Sequence, residues 1–217
     1  MIKLLYSVII IANGIKNDFY SFCTIYIIEM SNITIDSHQV FPDLDLTKID
    51  DTICVSDNPK TGLFLTENKH LISGMYLNLN PNDWAVQFLI DNPTYIDKYR
   101  FSQNTNDKAV QFLIDNPNYF DSYFLSLNEN DKAVQFLIDN PTYIFKINFS
   151  QNKNDKAVQF LIDNPTYIEK HIFSYRNNDK AVQFLIENPT YIDKNYFSRN
   201  KNDKAIQFVK DNPELFK

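Results

Sequence analysis

Asn106-Asp107-Lys108-Ala109-Val110-Gln111-Phe112-Leu113-Ile114-Asp115-Asn116-Pro117 recurs, nearly unchanged, from Asn82, Asn130, Asn154, Asn178 and Asn202, a spacing of 24 residues throughout. A fixed period of this size marks units that cannot bury an apolar face alone and stack on their neighbours instead. The expected fold is mainly α, an α-solenoid of 24-residue helix-turn-helix repeats. Any working surface would then be spread along the stack rather than gathered in one pocket.

Each unit reads as two short helices. In the first full copy Asn82 serves as N-cap and Asp83 sits in the first turn, where negative charge suits the helix dipole. Ala85, Val86, Phe88, Leu89 and Ile90 follow on one helical face. Asn92-Pro93 restarts the chain, with Asn92 as a second cap and Pro93 at the first helical position. Tyr95, Ile96, Tyr99 and Phe101 carry the second stripe, and Ser102-Gln103-Asn104-Thr105 makes the return loop. Helices of about ten and about nine residues are too short to persist alone in water, so stacking must hold them. No glycine occurs after Gly74, and the turns rest on Asn, Asp, Ser and Pro. At the usual helix spacing, six units span roughly 50–60 Å.

Departures from the period mark the ends. The ninth position is Ile90, Ile114, Ile138, Ile162 and Ile186, but Lys210 in the last copy, as expected of a unit that nothing covers. The third position is Lys from Lys108 onward but Trp84 in the first copy, which points to packing against upstream chain. Residues 67–81 align without gaps one period before Asp91–Thr105 and read as a decayed copy, so the array is placed at 67–217. Residues 31–66 read as an N-terminal cap, with a β-hairpin expected over 52–66 from Thr52–Val55 and Leu63–Thr66 around a turn-rich loop. Residues 1–30 are apolar. Lys3, the run Leu4–Ala12 and Ala12-Asn13-Gly14 have the layout of a secretory signal, though Met30 as the physiological start, with an extension before it, is the preferred reading. The apolar run is too short for a membrane span.

Composition narrows the chemistry. The 217 residues hold 21 Lys+Arg against 27 Asp+Glu, a net charge of −6; residues 1–81 carry 5 and 9 of these, leaving 16 and 18 in the array. No basic stripe is present, so nucleic acid is not an expected partner. The aromatics recur at fixed helical positions, which reads as core. Cys23 and Cys54 lie outside the array and make no disulfide framework. His38, His70 and His171 are scattered, and the three glycines form no phosphate loop. No catalytic, metal or cofactor-binding residue is therefore nominated. Two sequons, Asn32-Ile33-Thr34 and Asn148-Phe149-Ser150, matter only in a secreted chain.

Gln87, Gln111, Gln135, Gln159, Gln183 and Gln207 stand among apolar neighbours in every copy. Either they form a hydrogen-bonded ladder between repeats or they face solvent. The copies differ most in the late second helix and the return loop. From these positions we nominate a partner-binding ridge: Tyr99, Arg100, Gln103, Tyr123, Leu127, Asn148, Gln151, His171, Tyr175, Asn195, Tyr196 and Arg199. Aromatic, Arg and amide groups of this kind are enriched where proteins bind proteins. Drift on a solvated face gives the same pattern of divergence.

Leu77-Asn78-Leu79-Asn80-Pro81-Asn82 and the later Phe-Ser-x-Asn-x-Asn-Asp-Lys-Ala runs resemble the Leu-Ser-x-Asn-Pro-x-Ala tandem repeats of giant DNA viruses of amoebae, the mimivirus-like group. The resemblance covers about residues 67–217 and rests on a short motif. This chain usually lacks the Pro after the loop Asn and the Trp often seen in the second helix of those repeats. The resemblance implies an α-solenoid, and host cytoplasm or virion rather than secretion. The period also resembles leucine-rich-repeat variants in which one helix of each pair is 3-10, an alternative architecture. The expected function is a non-enzymatic, monomeric scaffold for a protein partner, with virus–host contact as one setting. A self-associating structural or virion component is the alternative, and an adaptor recruiting machinery through residues 1–66 is the second.

Overall fold

The computed structural model describes residues 74–216 and, upstream of them, Cys54, Leu65, Lys69 and Ile72. After α1 (Gly74–Leu79), nine-residue helices alternate with helices of four or five residues. The long ones are α2 (Asp83–Asp91), α4 (Asp107–Asp115), α6 (Asp131–Asp139), α8 (Asp155–Asp163), α10 (Asp179–Glu187) and α12 (Asp203–Asp211). The short ones are α3 (Lys98–Phe101), α5 (Ser122–Leu125), α7 (Lys146–Phe149), α9 (Lys170–Ser174) and α11 (Lys194–Phe197). Each long helix packs on the next long one, α2 on α4 through to α10 on α12. The chain is a helical repeat solenoid.

One core runs its length. Ala, Val and Leu of the first five long helices, such as Ala133, Val134 and Leu137, have no exposed surface, nor have Phe101, Phe149, Phe173 and Phe197 of the short helices. Helix A starts as the sequence indicates in the later copies, where the Asn106, Asn130, Asn154 and Asn202 side chains accept the backbone N–H two residues on at 2.8–3.0 Å; in the first copy the Asn82 side chain makes no such cap, and its amide donates to Asn80 Oδ1 at 2.9 Å.

The second helix is not one helix of about nine residues. Pro93–Tyr95 forms a 3-10 turn, Ile96 and Asp97 are extended, and α3 follows; every full unit repeats this. Nor does Asn92 cap what comes after it. Its side-chain amide instead donates back to the Phe88 carbonyl at 2.9 Å, closing helix A, while Pro93 bars Asn92 from the α region. The 3-10 segment is the element of the alternative architecture, placed ahead of a short α-helix.

What breaks the second helix comes from the preceding unit. The N–H groups of Asp121, Phe145, Glu169 and Asp193 donate to Ser102, Ser126, Ser150 and Ser174 Oγ at 2.8–2.9 Å, each 19 residues earlier, and Asp97 N–H donates to Asn78 Oδ1. A bond to the neighbour replaces the intrahelical one. Asp97, Asp121 and Asp193 then cap the short helix with their carboxylates. Phe145 and Glu169 make no such cap, yet the break persists in their units, so what every broken unit shares is the bond to the preceding unit rather than the carboxylate cap.

The ends follow the sequence in part. Lys210 is exposed, and Trp84 is half-buried against the core. Within the hairpin expected over 52–66, the two described positions, Cys54 and Leu65, are helical and fully buried, so neither is in a strand. The rest of 31–66, and all of 1–30, lie outside the described residues. Cys54 and Leu65 fall one period before Asn78 and Leu89. The Asn80 amide donates to the Cys54 carbonyl at 2.8 Å as that of Asn104 does to Asn78, so the register reaches back to Cys54.

Candidate interaction surface

Two asparagine ladders commit most of the return loop to structure. Asn104 Nδ2 donates to the carbonyls of Asn78 and Asn80, and Asn128, Asn152 and Asn200 repeat the bridge to residues 26 and 24 positions earlier. Each Oδ1 accepts the N–H of the helix-capping Asn two residues on. In the second ladder, Asn106, Asn130 and Asn154 donate to a carbonyl and a carboxylate of the unit before, as in Asn130 Nδ2 to Thr105 O and Asp107 Oδ1; Asn202 keeps the carboxylate contact.

Lysines reinforce those carboxylates. Lys108, Lys132, Lys156 and Lys204 lie 2.7–3.6 Å from Asp83, Asp107, Asp131 and Asp179. The hydrogen bond from Lys108 holds the Asp83 carboxyl below its ordinary value; for Asp107, Asp131 and Asp179 the Asn amide is the larger cause. The glutamines take the solvent-facing alternative. Gln87 and its copies are exposed and donate to the acid four residues on in their own helix, so no glutamine ladder joins the repeats.

The nominated ridge is largely at the surface. Tyr99, Tyr123, Gln151, Tyr175, Asn195, Tyr196 and Arg199 are exposed, while Arg100, Gln103, Leu127 and His171 are half-buried. Asn148 is not part of it. It is fully buried, donates to the Tyr123 carbonyl at 2.7 Å and leaves its Oδ1 without a partner. Its own side chain turns inward although Arg100 and Tyr196 at the same register do not bury theirs, and this burial also closes the Asn148-Phe149-Ser150 sequon.

Eleven large apolar side chains are exposed among the described residues, and seven stand at ridge registers: Met75, Leu79, Tyr99, Tyr123, Ile147, Tyr175 and Tyr196. An eighth, Phe145, packs on Tyr123 at 5.0 Å. Tyr99 meets Phe124 at 6.0 Å, and Phe124 meets Tyr123 at 4.9 Å. A continuous aromatic strip, Tyr99 to Phe124 to Tyr123 to Phe145, thus crosses three units.

Two members of this face escaped the sequence reading, and both replace a residue with a structural role. Phe145 stands where Asp97, Asp121 and Asp193 cap the short helix, giving up a cap for an exposed ring. Arg176 stands where Asn104, Asn128, Asn152 and Asn200 form the first ladder. Its guanidinium donates to the Ser150 and Asn152 carbonyls at 2.8 and 2.7 Å and lies over the Phe173 ring. Burial pushes its pKa down to about 10 while Glu129 and Asp155 pull it up, so the group stays charged at neutral pH. The usable signal was departure from the consensus, at a position otherwise always Asn for Arg176 and otherwise always acidic for Phe145.

Among the described residues no helix is long and apolar enough to cross a membrane, and no three His, Cys, Asp or Glu side chains gather as metal ligands do. No family model matches the chain, and no curated protein and no solved structure matches it.

Proposed function

We propose that the protein is a non-enzymatic scaffold whose ridge binds a protein partner. The observation that carries this is the segregation of exposed apolar groups: eight of eleven lie on or against one line of registers, while the long helices present Lys, Asp and Gln to solvent. Contiguous apolar and aromatic surface rimmed by polar groups is characteristic of protein-binding faces. Drift on a solvated face has no reason to concentrate rings, nor to exchange a helix cap for Phe145. The run that resembles giant-virus repeats supplies the serine and asparagine ladders, so that resemblance bears on the architecture, and a viral setting enters the proposal only through it.

The test changes Tyr99, Tyr123 and Phe145 together to Ser in the full chain. A partner retained by the wild-type protein should be lost, with circular dichroism preserved and the melting temperature within a few degrees. Equal retention by the variant refutes the ridge.

A further inference from the structure

One rung of the array differs from the others, and a cavity lies beside it. The ladder asparagines both donate to two carbonyls and accept one N–H. Arg176 reproduces the two donations, but a guanidinium has no acceptor. The Asn178 N–H therefore loses the bond that the N–H groups of Asn106, Asn130, Asn154 and Asn202 make. The backbone there differs as well: φ of Asn178 is −119°, against −69°, −65°, −63° and −72° at those four.

The second ladder fails at the same rung. Asn178 Oδ1 caps both Lys180 and Ala181, and among the described residues its amide finds no acceptor in the preceding unit. Nor does Lys180 pair with Asp155, although the other four lysines reach their aspartates. Beside this rung a cavity of about 470 Å³ lies between return loops, lined by Lys153, His171, Tyr175, Arg176, Asn178 and Tyr196 among others. That volume is within the roughly 300–1,000 Å³ range of ligand clefts.

The lining offers donors and rings but no carboxylate. Lys153, the remaining Arg176 N–H groups and the released Asn178 N–H groups are donors. Tyr175 is 52% exposed, and Tyr196 stands 5.4 Å from His171. Acids lie just outside: Glu129 is 3.7 Å from Lys153, the Glu169 carboxylate is 2.9 Å from His171 Nδ1, and Asp155 acts on Arg176. Against Lys153 and Arg176 these three acids outnumber the cations by one, which opposes a polyanion such as nucleic acid; a single carboxylate would have to be held by hydrogen bonds from the donors rather than by net positive charge.

We propose that this rung recognises a protein segment presenting a single carboxylate beside an aromatic side chain. The carboxylate takes the donors of Arg176, Lys153 and Asn178, and the ring packs against Tyr175 and Tyr196. The site rests on the reading of the ridge as a protein-binding surface and names its partner's chemistry. It spans the end of the third full unit through the fifth, and shares none of its lining residues with the aromatic strip.

The test titrates the full chain with an N-acetylated, C-amidated Gly-Ser-Glu-Tyr-Gly-Ser peptide, whose Glu is its single carboxylate, and follows the heat of binding. Controls replace Glu by Gln or Tyr by Ala in the peptide. The protein variant is Arg176→Asn, which restores the ladder residue and should melt at or above the wild-type temperature. Saturable binding is expected, weakened at least tenfold by either peptide change and by Arg176→Asn. No saturable binding to the wild-type protein, equal binding to Arg176→Asn, equal binding of the Gln peptide, or displacement by an equimolar thymidine oligonucleotide overturns the proposal. The Tyr99, Tyr123 and Phe145 variant leaves this rung intact, so failure of the ridge and failure of the site are read from different proteins.

Discussion

Replacing Asn152 by Ala should be among the most damaging single changes in the array, although the residue sits in a loop. Asn152 is 1% exposed; its amide donates to the Ser126 and Asn128 carbonyls at 3.0 and 2.9 Å, and its Oδ1 accepts Asn154 N–H at 3.0 Å. Truncation removes three hydrogen bonds and strands two carbonyls and one N–H. At about 1 kcal/mol net per bond, with a further penalty where water cannot reach the stranded group, the loss is on the order of 3–5 kcal/mol. In a quasi-one-dimensional stack it falls on the interface between two units. Urea denaturation followed by circular dichroism measures it, with Gln135→Ala as control. That exposed side chain bonds only within its own helix, to Asp139, and its loss should stay within about 0.5 kcal/mol. Asn152→Arg, which imitates Arg176 by keeping the carbonyl bonds, should fall between. A loss below about 1 kcal/mol for Asn152→Ala, or one equal to the control, refutes the ladder as a source of stability.

Leu137→Ala empties a fully buried position of the stack and should cost on the order of 2–5 kcal/mol by the same denaturation. Asn140→Ala loses a side-chain bond to the Phe136 carbonyl that backbone N–H still reaches, so about 0.5–1.5 kcal/mol is expected; a loss above about 3 kcal/mol would mean the residue does more than close helix A. Acid should loosen the array. Asp83, Asp107, Asp131 and Asp179 titrate below the ordinary 3.8, so their contribution is complete above that pH and fades as pH falls through the lowered folded values. Changing all four to Asn should flatten the melting temperature between pH 5 and pH 2, and an unchanged slope would remove these carboxylates from the account.

Helix A was legible because everything that makes it lies inside twelve residues: an Asn cap, an acidic first turn, an apolar stripe and a proline stop. The second helix was not, because its break goes with a bond to a serine or asparagine side chain 19 residues earlier, and no local propensity records that. The same distance hid the asparagine ladders. Asn104 in a polar loop looks like turn chemistry until the carbonyls 26 and 24 residues away are brought beside it. Comparing copies found most of the exposed ridge, since divergence tracks exposure, but divergence carries no orientation, and Asn148 was drawn in although its short amide folds inward where Tyr196 at the same register points out. Phe145 and Arg176 were visible as departures. Their meaning required knowing what Asp and Asn do at those positions.

Bonds between units, made by residues that recur from copy to copy, fix the stack and leave most of the divergent registers at the surface. Amide hydrogen exchange at Phe145 tests this most directly. This N–H donates across a unit boundary to Ser126 Oγ at 2.9 Å. It should exchange slowly in the wild-type protein, as core helix amides do, and at least tenfold faster in Ser126→Ala, with a smaller change at Val134 and Leu137. A Phe145 amide that exchanges as freely as an exposed one, or that is indifferent to Ser126→Ala, would contradict the account. The units would then be joined by apolar packing alone, and the break in the second helix would have another cause.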